Sequence, residues 1–401
     1  MVNLPARDKL AIKRWAEAGG TVYLRGPLEP GHKCTLAPLV DAEFECSIHA
    51  SAGYRFSKHW ILPVALAGEN TVFQKIVSIA GGLPPGALPL VMSMDNSGHE
   101  SPIIFAIEVG AGIVICDLTE EIDEAAMSLI AGLSDPRTRP AYVGALAAID
   151  YAGGRDVSLS APVNLVIDDR PINHDFFNCG RTERFLRHLD ARCPGIHTDF
   201  AWTPDQTRVH HRYVDILRNH NTGYVWHGFM RHLDHRSIMD LETDLKRGRK
   251  LIDEIVQKYD VRIQPVMIFP YEKDSPVCDE LLKRSDFIAK VQSFDPDINA
   301  VPRSYFRLRS TRIDRPAPIA QFNVLLREEE TKLTRDRMLA LAALGLPIIA
   351  LAHPNNLGVQ RFRPTLDSMG PTYFDRVLRF ASEKSLRPMS LENIANEMPV
   401  E

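Results

Sequence analysis

Residues 163–171 have the sequence Val-Asn-Leu-Val-Ile-Asp-Asp-Arg-Pro, in which an apolar run ends on two adjacent carboxylates, Asp168 and Asp169. A short apolar run bounded in this way predicts a buried strand. Sites in α/β folds form at the carboxyl ends of such strands. Because neighbouring carboxylates repel each other, a metal ion or a shared proton would stabilise this pair. The stretch therefore indicates either a site at a strand end or a solvated turn.

A second apolar stretch ends on a histidine. Residues 223–227 have the sequence Gly-Tyr-Val-Trp-His, and His232 and His235 follow His227 within eight residues. Ten of the fourteen histidines lie after residue 150. Imidazole is the commonest neutral metal ligand, and two or three imidazoles at one strand end are typical of a metal site. Histidines on a basic surface loop are the alternative that the sequence leaves open.

Two more apolar stretches end on a residue that could take part in catalysis. Residues 347–353, Pro-Ile-Ile-Ala-Leu-Ala-His, end on His353, and residues 266–271, Val-Met-Ile-Phe-Pro-Tyr, end on Tyr271. Taken alone, a single histidine is usually structural, and a Pro-Tyr end is usually a packed turn. Together with the first two stretches, they give four predicted strands that end in residues suited to a metal hydrolase.

Helix and strand patterns alternate through the second half of the chain. Helices are predicted at residues 181–191, 209–219, 239–259, 276–284, 335–344 and 373–383. Strands are predicted at residues 163–167, 223–226, 262–269, 288–291 and 348–351. Such alternation predicts a parallel α/β barrel or an open parallel sheet.

The order Asp-Asp, His-x4-His, Pro-Tyr and His resembles that of the polysaccharide deacetylase superfamily of carbohydrate esterases. The resemblance covers about residues 160–400. It implies an α/β fold with an irregular parallel β/α barrel of the deacetylase type. It also implies a hydrolase that removes an N-acetyl group from an amino-sugar-containing substrate with the help of Zn²⁺ or another divalent transition metal. An N-acetylated sugar is therefore the expected partner.

The same resemblance implies catalytic and metal-binding roles for five residues. Asp168 would be the general base, and His353 would be the general acid. Three residues would be the metal ligands: Asp169, His227 and His232.

Three further residues are candidates for substrate binding. The backbone N–H of Tyr271 would help to bind the oxyanion, as the resemblance implies. Arg170 lies close enough in sequence to orient Asp168. Trp226 could stack on a sugar ring, although tryptophans of this kind are more often part of a core.

The sequence departs from the family pattern at three points. His227 and His232 are five residues apart, whereas the family's pair is four apart, so His235 could be the third ligand instead. The family's arginine before Pro-Tyr is absent, and Asp169 is followed by Arg-Pro where many members have glycine. These departures leave open a non-catalytic carbohydrate-binding protein on a degenerate barrel. A glycoside hydrolase that uses two carboxylates is the other alternative.

The first half of the chain predicts a smaller accessory domain. Residues 150–160 are polar and glycine-rich, which is typical of a linker. We therefore predict an α/β accessory domain at residues 1–158 and a catalytic barrel at residues 159–401. The accessory domain could shape the mouth of the site or form an oligomer contact, so a homo-oligomer is one expectation.

Residues 101–118 predict two strands joined by a tight glycine turn. The turn, Gly-Ala-Gly at 110–112, lacks the third glycine of a dinucleotide fingerprint and is not followed by a helix pattern, so it predicts a hairpin and no nucleotide site. Over about residues 8–120 the chain resembles the class I glutamine-amidotransferase-like accessory domains. Because no cysteine lies in a nucleophile-elbow context, amidotransferase chemistry is not expected.

Composition excludes some classes of partner. The 401 residues include 47 basic and 51 acidic side chains without a dominant basic stripe, so nucleic acid is not expected. The sequence contains no run of about eighteen apolar residues, so no membrane span is predicted. The six cysteines form no CxxC pair and indicate reduced thiols. Together with an amino terminus that lacks an apolar signal region, this favours a cytoplasmic protein.

Overall fold

The structure is a computed structural model. It describes residues 6–25, 33–35, 43–49, 53–71, 76–80, 83–119, 129–167, 179–202, 211–228, 238–268, 281–282, 285–293, 320–327, 334–352 and 373–397. The chain divides by its internal contacts into two compact units. Unit 1 comprises Met1–Ser160 and Asp336–Gly345, and unit 2 comprises Ala161–Arg335 and Leu346–Glu401.

Unit 1 consists of strands with a few helices. Its elements are α1 (Ala6–Glu17), β1 (Thr21–Arg25), β2 (Lys33–Thr35), β3 (Glu43–His49), β4 (Gly53–Phe56), a 3-10 turn (Val64–Leu66), β5 (Asn70–Thr71), β6 (Ile76–Ala80), β7 (Ala87–Met94), β8 (Glu100–Val109), β9 (Gly112–Asp117), α2 (Leu129–Ser134) and α3 (Arg139–Ala152).

Two sheets organise unit 1. A six-stranded sheet has the order β1-β9-β8-β7-β4-β5, and a three-stranded sheet has the order β2-β3-β6. Strands β8 and β9 form the predicted hairpin, in which Val109 pairs with Gly112. Among the described strands of this unit, β1 and β9 form the one parallel pair. These pairings do not show the predicted likeness to glutamine-amidotransferase-like domains, which stays a prediction.

One apolar cluster of unit 1 lies between α1 and the six-stranded sheet. Ala16 of α1 is buried in one apolar cluster with residues of β8 and β9. The members of these strands that share the cluster are Phe105, Ile107, Val109, Val114 and Cys116. Burial raises the pKa of the Cys116 thiol to about 12, with a smaller contribution from the charge of Asp117, so this cysteine is protonated at neutral pH.

Unit 2 alternates strands and helices. Its strands are β10 (Pro162–Ile167), β11 (Thr198–Trp202), β12 (Thr222–His227), β13 (Ile263–Ile268), β14 (Ala289–Ser293), β15 (Ala320–Arg327), β16 (Ile348–Ala352) and β17 (Arg387–Pro388). The helices of this half of the chain are α4 (Cys179–Arg192), α5 (His211–Arg218), α6 (Ile238–Tyr259), α7 (Thr334–Ala343), α8 (Tyr373–Glu383) and α9 (Leu391–Glu397). Of these, α7 belongs to unit 1 from Asp336 onward.

The strands of unit 2 form a ring. Strands β10 to β16 pair in parallel in the order β11-β12-β13-β14-β15-β16-β10, and β10 pairs again with β11. The short strand β17 adds to the start of β10, where Pro162 pairs with Arg387. The pairings therefore close a parallel α/β barrel, which is compatible with the deacetylase-type barrel that the sequence predicts.

Several predicted elements lie where the sequence places them. Strands β12, β13 and β16 and helices α4, α6 and α8 agree with the predictions at their centres and differ mainly at their ends. Strands β11, β15 and β17 are not among the predicted elements. The helix predicted at residues 276–284 falls largely outside the described residues. No helix within the described part of the chain is long and apolar enough to cross a bilayer.

Polar side chains fill the amino-terminal end of the barrel. Asp199 of β11 is fully buried. Its carboxylate accepts hydrogen bonds from Asn164 Nδ2 at 2.9 Å, from His197 Nε2 at 3.0 Å and from the side-chain amide of Gln264. It also accepts the backbone N–H of Leu391 at 2.9 Å, which attaches the first turn of α9 to the barrel. These donors offset the cost of burying a carboxylate.

Candidate active site

The opposite end of the barrel is where the predicted site residues follow their strands. Ile167 and Ala352 pair in register as the last residues of β10 and β16. His227 and Ile268 pair as the last residues of β12 and β13. In a parallel barrel all carboxyl ends open at one face, where side chains from different strands converge. The strand pairings thus bring together four of the strand ends that the sequence singled out.

His227 faces the interior of the barrel at this end. Trp226 and Met267 pack with α6 in one apolar cluster and therefore lie on the outer face of β12 and β13. Because successive side chains of a strand point to opposite faces, the next residues along, His227 and Ile268, face inward. His227 is only 4% exposed. An inward-facing, buried imidazole at the carboxyl end of a strand is suited to binding a metal ion.

The backbone after His227 is held in place. Gly228 N donates a hydrogen bond of 2.7 Å to the carbonyl oxygen of Ile268. This bond continues the contact between β12 and β13 by one residue beyond the strand end. The backbone that carries the His227 side chain is therefore fixed on both sides, as a pre-organised ligand requires.

Trp226 lies in the packing layer outside the barrel. It is 5% exposed and contacts the ring of Phe287 edge-on, with the ring centroids 5.5 Å apart. Leu241 and Leu245 of α6 belong to the same cluster. Within the described residues, Trp226 thus has the core position that the sequence left as the more frequent alternative.

The other predicted site residues lie outside the described part of the chain. They are the catalytic pair Asp168 and His353, the metal ligands Asp169 and His232 with the alternative His235, and the substrate-binding candidates Arg170 and Tyr271. The roles assigned to them stay predictions.

The donor chemistry at His227 fits a metal ion. Within the described ranges no three His, Cys, Asp or Glu side chains are grouped so as to hold one. Of the predicted ligand set, only His227 belongs to those ranges. Its neutral imidazole would supply one nitrogen ligand, and the carboxylate and second imidazole of the predicted set would complete a common zinc-ligand combination.

Several histidines of unit 2 form structural pairs with aspartate. His188 contacts Asp375 at 2.7 Å, and this pair joins α4 to α8. His220 Nδ1 contacts Asp190 at 2.6 Å. The number of histidines in the second half of the chain is therefore not a count of candidate metal ligands. Some of these side chains instead connect helices and loops of the barrel.

His197 belongs to the polar side chains around Asp199 at the amino-terminal end of the barrel, which we call the polar layer, and its pKa is shifted. Its Nε2 contacts Asp199, and its Nδ1 lies 2.8 Å from Asn221 Oδ1. Burial by itself lowers the pKa of His197, but the hydrogen bond and charge of Asp199, with the hydrogen bond to Asn221, outweigh burial and raise it. The structure thus favours a protonated His197 in an ion pair with Asp199.

The chain is similar to known proteins only at low sequence identity. No family model and no curated protein matches it. Among solved structures, a family 4 carbohydrate esterase from Streptomyces lividans in complex with acetate is 12% identical, with a TM-score of 0.35, over 61% of this chain and 98% of its own. The chitin deacetylase from the fungal pathogen Colletotrichum lindemuthianum is 12% identical, with a TM-score of 0.33, over 59% of this chain and 90% of its own.

A different kind of enzyme is similar to the same extent. The 4-alpha-glucanotransferase from Thermococcus litoralis is 12% identical, with a TM-score of 0.34, over 61% of this chain and 41% of its own. At these identities and TM-scores the similarity gives no information on the residues or the chemistry of this chain.

Proposed function

We propose that the barrel of unit 2 is a metal-dependent hydrolase that removes an N-acetyl group from an amino-sugar-containing substrate. The position of His227, buried and facing the interior at the carboxyl end of β12, is the observation that carries the proposal. The register of β10 and β16 supports it, because Ile167 and Ala352 directly precede Asp168 and His353 in the sequence.

Three residues hold the metal ion in this proposal: Asp169, His227 and His232. His235 is the alternative to His232, since the spacing of the first two histidines leaves the choice open. Three protein ligands leave a position open for the reaction, as in catalytic zinc sites. When bound, Zn²⁺ or another divalent transition metal supplies a Lewis acid that polarises the amide carbonyl and makes water a stronger nucleophile near neutral pH.

The remaining steps belong to the side chains and backbone of the protein. Asp168 accepts a proton from water as the water attacks the carbonyl carbon, and Arg170 orients the Asp168 carboxylate. The backbone N–H of Tyr271 donates a hydrogen bond to the developing oxyanion. His353 donates a proton to the departing amine. The proposal gives Trp226 no role in substrate binding, because its ring packs in the apolar cluster with α6.

The proposal is tested by assaying the full chain for acetate release. The substrates are oligosaccharides of N-acetylglucosamine and small N-acetylated sugar conjugates, each assayed with added Zn²⁺, Co²⁺ or Ni²⁺ and after treatment with a chelator. Release of acetate that the chelator abolishes and the metal restores is the expected result. Absence of release from the whole panel with every metal would contradict it.

The same assay separates the two alternatives. Sugar binding without acetate release at any metal would favour the non-catalytic carbohydrate-binding protein, for which the changed spacing of His227 and His232 is the supporting observation. Release of new reducing ends without acetate would favour a glycoside hydrolase.

A further inference from the structure

Three aromatic side chains of unit 1, one exposed and two partly buried, form a cluster that the barrel chemistry does not use. The ring centroids of Trp60 and Tyr151 are 5.5 Å apart with the planes at 54°. The rings of His59 and Trp60 are 5.6 Å apart with the planes at 38°. Trp60 is 55% exposed. We call His59, Trp60 and Tyr151 the aromatic platform.

The backbone around Trp60 holds its ring at the surface. Leu62 N donates a hydrogen bond of 3.1 Å to the His59 carbonyl oxygen, which closes a turn around Trp60. Ile61 and Leu62 are buried at 2% and 4% exposure, so they anchor this turn to the core. An indole that remains exposed on an anchored turn loses little freedom when a ligand packs on it, which favours binding.

Polar groups at the edge of the platform complement its aromatic faces. Ile61 N donates to His59 Nδ1 at 3.5 Å, so the proton of a neutral His59 lies on Nε2, where it can be donated. The indole N–H of Trp60 has no hydrogen-bond partner among the described residues. The Tyr151 hydroxyl donates a weak bond of 3.4 Å to the carbonyl of Ala111 and keeps its lone pairs as acceptors.

The charge at the platform limits the class of ligand. Glu108 is exposed and close enough for its charge to act on His59. Partial burial nevertheless lowers the pKa of His59, so the imidazole is neutral at pH 7. Lys58, next to His59 in the sequence, is also exposed, so one formal charge of each sign lies near the platform. This balance favours an uncharged ligand over a polyanion such as a nucleic acid.

The size of the platform favours a small ligand over a protein. A whole tryptophan offers about 150–250 Å² of surface, so Trp60 and its partner rings expose only a fraction of the roughly 800 Å² that each partner of a stable protein complex buries. A pyranose ring matches this area. Its C–H face packs on the electron-rich face of an aromatic ring, and its hydroxyl groups donate and accept at the rim.

We propose that His59, Trp60 and Tyr151 form a carbohydrate-binding site on unit 1 that takes a neutral pyranose ring of a glycan. Trp60 supplies the stacking face, and Tyr151 forms a second, tilted face beside it. His59 donates a hydrogen bond through Nε2 to a sugar hydroxyl. The site does not depend on the activity proposed for the barrel.

The test is titration calorimetry of the full chain with hexasaccharides of N-acetylglucosamine, of glucose and of xylose. The Trp60→Ala and Tyr151→Ala variants are each expected to weaken binding of at least one of these sugars by about fivefold or more, from loss of an aromatic contact. Trp15→Ala is the matched control, because Trp15 is also exposed on unit 1, at 62%, and its indole N–H already donates to the Thr21 carbonyl at 3.2 Å.

The outcomes are distinct from those of the acetate assay, because binding is measured and not turnover. Weaker binding in both platform variants, with unchanged circular dichroism and unchanged affinity in Trp15→Ala, would support the site. Binding that is the same in Trp60→Ala and wild type would overturn it, and so would absence of binding to all three sugars. Self-association that Trp60→Ala abolishes, without sugar binding, would assign the platform to contact with a second copy and also overturn it.

Discussion

Ile167 and Ala352 are paired in register at the carboxyl ends of adjacent parallel strands, β10 and β16. Adjacent strands lie about 4.8 Å apart, and the next residues in the sequence are Asp168 and His353. An aspartate and a histidine that follow two such strand ends can act on one bound substrate from neighbouring positions. This relationship supports the proposal, implied by the family resemblance, that Asp168 is the general base and His353 the general acid.

The first prediction concerns the general base. Asp168→Asn keeps the shape of the side chain but removes its ability to accept a proton, so kcat should fall by a factor of about 10² to 10⁴. The metal content should not change, because Asp168 is not among the proposed ligands. Steady-state kinetics of acetate release test this, with Asp190→Asn as the control, since Asp190 pairs with His220 away from the predicted site residues. An unchanged kcat in Asp168→Asn would show that another group is the base.

The second prediction concerns Trp226. Because its ring is packed against α6 and Phe287, Trp226→Phe should lower the free energy of unfolding by about 1–3 kcal/mol through loss of buried contacts. KM for the sugar substrate should stay within about twofold of wild type, since a twofold change is only about 0.4 kcal/mol. Urea denaturation and substrate titration measure the two effects. A large rise in KM without loss of stability would return Trp226 to the substrate site.

The third prediction concerns the close approach of β12 to the polar layer. A Cβ at Gly223 would lie 2.2 Å from Asp199 Oδ1 and 2.2 Å from Gln264 Nε2. Gly223→Ala should therefore displace a buried, hydrogen-bonded carboxylate and cost about 2–4 kcal/mol of unfolding free energy.

A matched control for Gly223 is available in the same unit. Gly195 has a φ of +79°, and a Cβ there meets nothing within 4 Å. Gly195→Ala should cost only about 1 kcal/mol, from backbone strain alone. Equal losses in the two variants, measured by urea denaturation, would argue against a crowded polar layer.

The fourth prediction concerns pH. Because the pKa of His197 is raised in the folded protein, its ion pair with Asp199 stabilises the fold fully below the unfolded-state pKa of about 6.5. This contribution is lost as the pH rises through the higher folded-state pKa. His197→Gln should therefore cost more stability at pH 5.5 than at pH 9. Denaturation curves at both pH values measure the difference, which should disappear when Asp199→Asn is already present.

Much of the barrel could be predicted because its central strands are short apolar runs. Strands β12, β13 and β16 read as buried segments from their composition alone, and their parallel pairing follows from the helices between them. Strand β11, Thr198–Trp202, was missed. It carries Asp199 in its interior, and the partners that make a buried carboxylate stable come from β10, β13 and α9. Contacts that span such sequence distances are not visible in a local pattern.

The His227 site and the aromatic platform also differ in how far the sequence predicts them. The strand-end position of His227 follows from the sequence, because an apolar run ends there. That its imidazole points inward follows only from the packing of Trp226 on α6, which belongs to the tertiary structure. The aromatic platform was not predicted at all. Residue 151 falls in the stretch predicted to be a linker, whereas α3 extends to Ala152 and brings Tyr151 against Trp60.

The central claim is that His227 binds a catalytic metal ion. The most direct measurement is the metal content of protein purified without chelators or a histidine tag, determined by elemental analysis on wild type, His227→Ala and Asp169→Ala. His188→Ala is the control, because this histidine pairs with Asp375. About one equivalent of zinc or another transition metal in wild type and the control, and its loss in the other two variants, is the result expected for a three-ligand site. Wild type that holds no metal even after incubation with Zn²⁺, Co²⁺ or Ni²⁺, or metal that His227→Ala retains in full, would contradict the claim.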